Sequence, residues 1–147
     1  MNPYVAALFA LPSAAFFALC IRAPLRSVPI SGICGLLGQY IYVALLVNGE
    51  YIAVFTATLF ACIICETAAR FAKMPCTVLI YPALSPLVPG VMLYRAMLAF
   101  SKNNLNDGAI QIICVLAYAG CMAVAMTIAS VLAKKVLTPL FAKYGKS

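Results

Sequence analysis

Five long apolar runs alternate with short polar breaks along the chain. Pro3 to Ile21 carries no charge and ends at Arg22, and Val28 to Val47 is likewise uncharged and ends at Asn48-Gly49-Glu50. Tyr51 to Ala69 holds a single charge, Glu66, and ends at Arg70. Met74 to Phe100 holds only Arg95 but is interrupted by Pro75, Pro82, Pro86 and Pro89-Gly90. Ala109 to Ala133 is uncharged and ends at Lys134-Lys135. A helix needs about 20 residues, at 1.5 Å each, to cross the roughly 30 Å hydrocarbon layer of a bilayer. The pattern therefore predicts an all-α integral membrane protein with five transmembrane helices, over residues 3–21, 28–47, 51–69, 74–100 and 109–133. These form a single transmembrane domain over 1–147, with a basic tail at 134–147. The first run reads as a retained span rather than a signal peptide, because no basic residue precedes it and it exceeds the usual h-region. Short breaks leave no room for a soluble domain, and Ser101 to Gly108 has the Asn, Asp and Gly content of an exposed turn.

Composition agrees. Of the 147 residues, 66% are hydrophobic and 9% are charged, against about 25% charged in soluble domains. So small a soluble protein has too much surface to hide this much apolar side chain. Seven cysteines do not make a disulfide framework: Cys20, Cys34, Cys62, Cys65, Cys114 and Cys121 lie inside apolar runs and Cys76 at the start of one. They read as small packing residues, and Cys62-Ile-Ile-Cys65 lacks the βαβ setting of a redox motif. The chain has no histidine, so the common imidazole bases and zinc ligands are missing. No catalytic residue, metal or cofactor is expected, and the chain does not read as an enzyme.

The charge excess, ten Lys and Arg against three acids, bears on orientation rather than on nucleic acid, which is not an expected partner. Arg22, Arg26, Arg70, Lys73, Lys134, Lys135, Lys143 and Lys146 fall on one side of the predicted membrane, and Lys102 with Arg95 on the other. Lys and Arg accumulate on cytoplasmic loops. The prediction is a cell (inner) membrane protein with its N-terminus outside and its C-terminus cytoplasmic. Leu137 to Ser147 reads either as a basic segment lying on the inner leaflet, interrupted by Pro139, or as a charged tail.

The fourth run carries the candidate chemistry. Each proline removes a backbone donor and crowds the preceding turn, so Pro82, Pro86 and Pro89-Gly90 predict a broken helix. Counted from Met74, Pro86 to Gly90 lies about 18–24 Å in at helical rise, near mid-bilayer. Irregular backbone at that depth survives only when buried in protein or lining a wet cavity. A half-helix starting after Pro89 turns its free N–H groups and positive dipole end to the break, which suits a carboxylate. The bland alternative is a proline-kinked packing helix. Glu66, about 22 Å from the outer end of its run, reads either as a coupling or gating acid or as the ion-pair partner of Arg70 at i+4. Arg95 reads either as a second group for a substrate carboxylate or as a snorkelling arginine. Gly32, Gly35 and Gly38 predict close helix approach, and Gln39, Thr56 and Thr58 predict interhelical hydrogen bonds or a polar pathway.

Two stretches resemble a known family. Glu66-x-x-x-Arg70-x-x-Lys73-x-Pro75, followed by Pro82-Ala-Leu-Ser-Pro86-Leu-Val-Pro89-Gly90-x-x-x-Tyr94, is similar to the hallmark of threonine/serine exporters of the small-subunit, or C-terminal-half, type. Pro12-Ser-Ala-Ala-Phe-Phe, Arg22-Ala-Pro24-Leu-Arg26 and the glycines from Gly32 to Gly38 agree with it. The resemblance implies a secondary exporter of small amino acids with ten spans in two five-span halves. This chain would be the smaller half, inverted against a larger five-span subunit that carries a cytoplasmic domain, with the site between them. It implies Ser85, Pro86, Pro89, Gly90 and Tyr94 at the site, beside Arg95, with Glu66 and Arg70 as coupling or gating companions. A half-helix N-terminus recognises a carboxylate, which small amino acids and dicarboxylates share, and Glu66 is the one evident partner for an ammonium group. Other readings are a self-sufficient proton-coupled efflux homo-oligomer and a membrane redox or scaffold protein using its cysteines. Membrane lipid and a small carboxylate-bearing solute are the remaining expected partners.

Overall fold

The structure is a computed structural model and describes residues 3–144. The described chain is helical: α1 (Pro3–Leu8), α2 (Ala10–Cys20), α3 (Ser27–Leu45), α4 (Glu50–Ala72), α5 (Thr77–Leu84), α6 (Gly90–Ser101) and α7 (Leu105–Tyr144). Short 3-10 turns at Leu46–Asn48 and Ser85–Leu87 extend α3 and α5. Three helices are long and apolar enough to cross a membrane: Ser27–Asn48, Glu50–Ala72 and Leu105–Ala133. Thr77–Leu87 and Gly90–Ser101, bent by 53°, are long and apolar enough together and count as a fourth candidate span, so three to four of the five predicted spans are seen.

The first predicted span is divided. Neither the six residues of α1 nor the eleven of α2 span a bilayer alone. The cause is local: Pro12 has no N–H to return to the Leu8 carbonyl, and its ring crowds that carbonyl. Phe9, at φ −71° and ψ −12°, separates the two pieces without a large change of direction in its backbone angles. The predicted inner-leaflet tail meets the last turns of α7, which runs to Tyr144, while Gly145 to Ser147 lie outside the described residues.

Three helix ends share one device. Arg22, Lys73 and Asn103 adopt left-handed backbone at φ 54°, 51° and 59° after α2, α4 and α6. Each is followed by a residue whose N–H returns to a carbonyl five residues back: Ala23 to Ala18, Met74 to Ala69 and Asn104 to Ala99, all at 3.0 Å. This Schellman closure satisfies terminal carbonyls and reverses the chain within a few residues. Gly49, at φ 119° and ψ 142°, opens α4 in a conformation that only glycine adopts readily.

Packing is driven by small residues. On α4, Ala53, Ala57, Ala61, Cys65 and Ala69 recur every fourth position and are buried. In lipid, such stripes let backbones approach and gain dispersion contacts. The expected role of the α3 glycines in close approach is visible directly. A Cβ on Gly35 would stand 2.8 Å from the Ala14 Cβ and 3.2 Å from the Ala83 oxygen, and one on Gly38 would stand 3.0 Å from the Ala61 Cβ. One face of α3 thus draws α2, α4 and α5 together. The core adds Leu79, Ile80, Leu84, Leu87, Tyr118 and Met122.

Candidate functional site

The break in the fourth span follows from its prolines one by one. Pro86 has no N–H, and Ser85 instead donates to the Pro82 oxygen, tightening the end of α5 into a 3-10 turn. Val88, before a proline, is extended at φ −62° and ψ 132°. Pro89, at φ −76° and ψ 53°, is the centre of an inverse γ-turn closed by the Gly90 N–H on the Val88 oxygen at 2.8 Å. α6 then starts afresh and packs principally on α7. Just before the break, the Leu87 side chain packs at Gly38 of α3, where a Cβ would stand 3.4 Å from its Cδ1.

A cavity of about 160 Å³ opens at this break. Pro86, Leu87, Val88, Pro89, Gly90, Val91 and Met92 form one wall. Gln39 and Tyr42 of α3, Glu50 of α4 and Tyr118 of α7 form the other. The first wall presents the start of α6, where Val91 and Met92 lie in the turn that has no preceding helical acceptors. On the second wall the Tyr42 hydroxyl lies beside both the Glu50 carboxylate and the Tyr118 hydroxyl. The Gln39 Oε1 is buried and has no hydrogen-bond partner.

The predicted site residues divide among several places. Pro86, Pro89 and Gly90 line the break cavity. Ser85 and Gly90 line an apolar cavity of about 880 Å³ on the other side, with Phe17, Tyr81, Met122 and Met126. Tyr94 is exposed and lines neither. Arg95 faces a separate cavity of about 380 Å³ with Lys102, Asn104 and Asp107, between α6 and the start of α7. Glu66 is 6% exposed and sits beside the Cys76 thiol at the start of α5, while Arg70 donates from Nη2 to the Ala133 oxygen at 3.3 Å. Glu66 and Arg70 both lie at the far end of α4 from Glu50, about 24 Å along the axis for Glu66.

Glu50, Tyr42 and Tyr118 carry the polarity of the cavity and were not marked by sequence pattern. Asn48-Gly49-Glu50 reads as a connection, and Tyr42 and Tyr118 stand within long apolar runs with no motif around them. The polar threonines do not bridge helices: Thr56 bonds within its own helix to the Ile52 and Ala53 oxygens, at 2.7 and 3.1 Å. Cys62 and Cys65 are fully buried, and the Cys65 thiol points at the Leu79 oxygen, 3.8 Å away, which suits packing rather than thiol exchange.

A helical membrane protein whose bent span lines a cavity together with polar side chains of three other helices is built as solute transporters are. The chain matches the family model described as "Threonine/Serine exporter, ThrE" over residues 6–132 and belongs to that family. Its family is thus one of transporters, not of enzymes. It is also similar to a protein of Mycobacterium tuberculosis named "Probable threonine/serine exporter", 28% identical over 109 residues. The similarity covers 70% of this chain and 21% of that protein, so the chain spans about a fifth of the relative's length. No solved structure matches it.

Proposed function

We propose that this chain is the small membrane subunit of a secondary exporter of small amino acids of the threonine/serine type, and that its solute carboxylate binds at the Pro86–Gly90 break. The observation that carries this reading is the cavity at the break, faced by the start of α6 on one side and by Tyr42, Glu50 and Tyr118 on the other. Oriented amides and a positive helix end in a water-poor site favour an anion. The family match supports the transported class.

In this reading α1 and α2 together make the first of five spans, the N-terminus lies outside and the C-terminus in the cytoplasm. A larger five-span partner with a cytoplasmic domain supplies the inverted half, and the solute passes between the two. Glu66 and Arg70 act at the cytoplasmic end in coupling or gating. The exposed apolar faces of α6 and the first half of α7, including Val91, Met97, Ile110, Ile113 and Leu116, are free to meet that partner or lipid.

The test is the double variant Pro86→Ala, Pro89→Ala. Restoring two backbone donors favours a continuous helix and withdraws the α6 amides from the cavity. Solute binding and export are expected to fall at least about 10-fold, the scale of losing one charge-assisted hydrogen bond, while membrane abundance and partner assembly persist. Normal assembly with unchanged apparent affinity and rate would falsify the carboxylate site and leave Pro82 to Gly90 as a packing kink.

A further inference from the structure

We infer that Glu50, together with the Tyr42 and Tyr118 hydroxyls, forms an ammonium subsite opposite the start of α6, so that this cavity selects zwitterionic amino acids over dicarboxylates. The inference rests on the reading of the break as the carboxylate site and adds the group that recognises the other end of the solute.

The two walls are chemically opposite. One presents backbone N–H groups at a helix start, which only donate. The other presents the Glu50 carboxylate, which only accepts, and two phenolic oxygens, which can accept. An ammonium carries three donors and no acceptor. A solute with a carboxylate at one end and an ammonium at the other matches both walls.

Tyr42 ties this wall together, its hydroxyl lying beside both the Glu50 carboxylate and the Tyr118 hydroxyl, so the three oxygens converge on one place. The charge inventory points the same way. Glu50 is the one formal charge lining the cavity, and Arg95, the nearest basic residue along α6, faces a different one. A dicarboxylate would bring its second carboxylate against Glu50 with no cation to receive it, whereas an ammonium is attracted to the same position. The volume of about 160 Å³, below the roughly 300–1,000 Å³ of drug-sized sites, suits small solutes of either class, so charge and not size discriminates. Glu50 also begins α4 and complements the dipole of that helix. That role predicts equal effects on every solute, so solute preference is the readout that separates the two.

The experiment uses inside-out membrane vesicles from cells carrying the edited gene at its own locus, so that any partner chain is retained. Uptake of labelled L-threonine, L-serine and succinate is measured, with membrane abundance followed in parallel. Wild-type vesicles are expected to prefer the amino acids. Glu50→Gln is expected to raise the half-saturating amino-acid concentration about 10- to 100-fold while succinate uptake is unchanged or improved. Tyr42→Phe shifts the preference in the same direction by less. An equal fall for all solutes in Glu50→Gln, or a wild-type preference for succinate, overturns the ammonium subsite. Should Glu50→Gln fail to accumulate, Glu50→Asp and Tyr42→Phe carry the test, and an unchanged preference in both overturns it. The Pro86→Ala, Pro89→Ala variant separates the underlying reading. If it loses both solute classes while Glu50→Gln leaves preference unmoved, only the ammonium subsite fails. If it transports normally, the carboxylate site fails, and the inference with it.

Discussion

Gly90 shows how a single residue changes meaning once its surroundings are known. In the sequence, a glycine after Pro89 predicts unusual backbone angles. In the structure its φ is not positive, and a Cβ placed on it meets nothing within 4 Å. The space is the cavity itself, since Gly90 borders both the polar and the apolar hollow. Gly90→Ala is therefore expected to leave folding intact, because alanine is the better helix former by about 1 kcal/mol. The added methyl should weaken solute binding about 10-fold or more, the usual scale for one methylene misplaced in a snug site. Titration of binding alongside thermal unfolding of the same sample checks both halves. Lys73 is the converse case. It holds a left-handed conformation at φ 51° that costs a side-chain-bearing residue about 1–2 kcal/mol. Lys73→Gly should raise stability by about 1 kcal/mol, read as a higher melting temperature, with no change in solute preference.

Among the elements, the fourth span was the most legible because its cause is covalent. Pro82, also expected to interrupt the span, is accommodated inside α5, whereas the missing N–H groups at Pro86 and Pro89 make the break foreseeable from sequence alone. Its 53° bend is not. The angle depends on how the renewed helix rests on α7, a contact between segments far apart in the chain. The glycine face of α3 was legible in the same way, although not its partners. Gly35→Val would drive a side chain into the Ala14 Cβ at 2.8 Å and the Ala83 carbonyl at 3.2 Å. Backbone cannot move aside as a flexible side chain can, so destabilisation of about 1–3 kcal/mol is expected. Gly120→Val on α7, where a Cβ meets nothing within 4 Å, is the matched control and should shift stability by about 0.5 kcal/mol or less. Equal melting temperatures for the two variants would show that the α3 groove does not hold the bundle.

At the scale of the whole molecule, the proposed orientation rests on the uneven distribution of Lys and Arg. The structure groups the ends consistently: Glu50 shares the break cavity with Tyr118, and Arg70 reaches Ala133, so α4 and α7 run parallel. With the N-terminus outside, a reporter fused after Ser147 is expected to be active only in the cytoplasm. A periplasmic signal there would refute the five-span arrangement. The partner prediction belongs to this scale too. Half of an inverted pair leaves its site open on one side. Cells producing this chain without a larger five-span protein should export no more serine or threonine than cells lacking it, and co-production should restore export. Full activity of the purified single chain would instead support the self-sufficient homo-oligomer.

Composition and the spacing of apolar runs determined by themselves that this is a helical membrane protein, because burial of uninterrupted apolar surface in lipid needs no information about partners in the fold. Proline chemistry placed the break, and family-like motifs around Pro86 to Gly90 pointed to transport. Only the tertiary structure decided which groups meet there. Tyr42, Glu50 and Tyr118 lie on three different helices, and nothing in their spacing marks them as neighbours. Glu66, the conspicuous acid of the sequence, lies away from the break, since its place along α4 puts it beside Cys76 rather than beside Gly90. Side chains meet through helix packing across the chain, and that packing is set by small buried residues such as Gly35, Ala57 and Ala61, whose contacts no local pattern specifies.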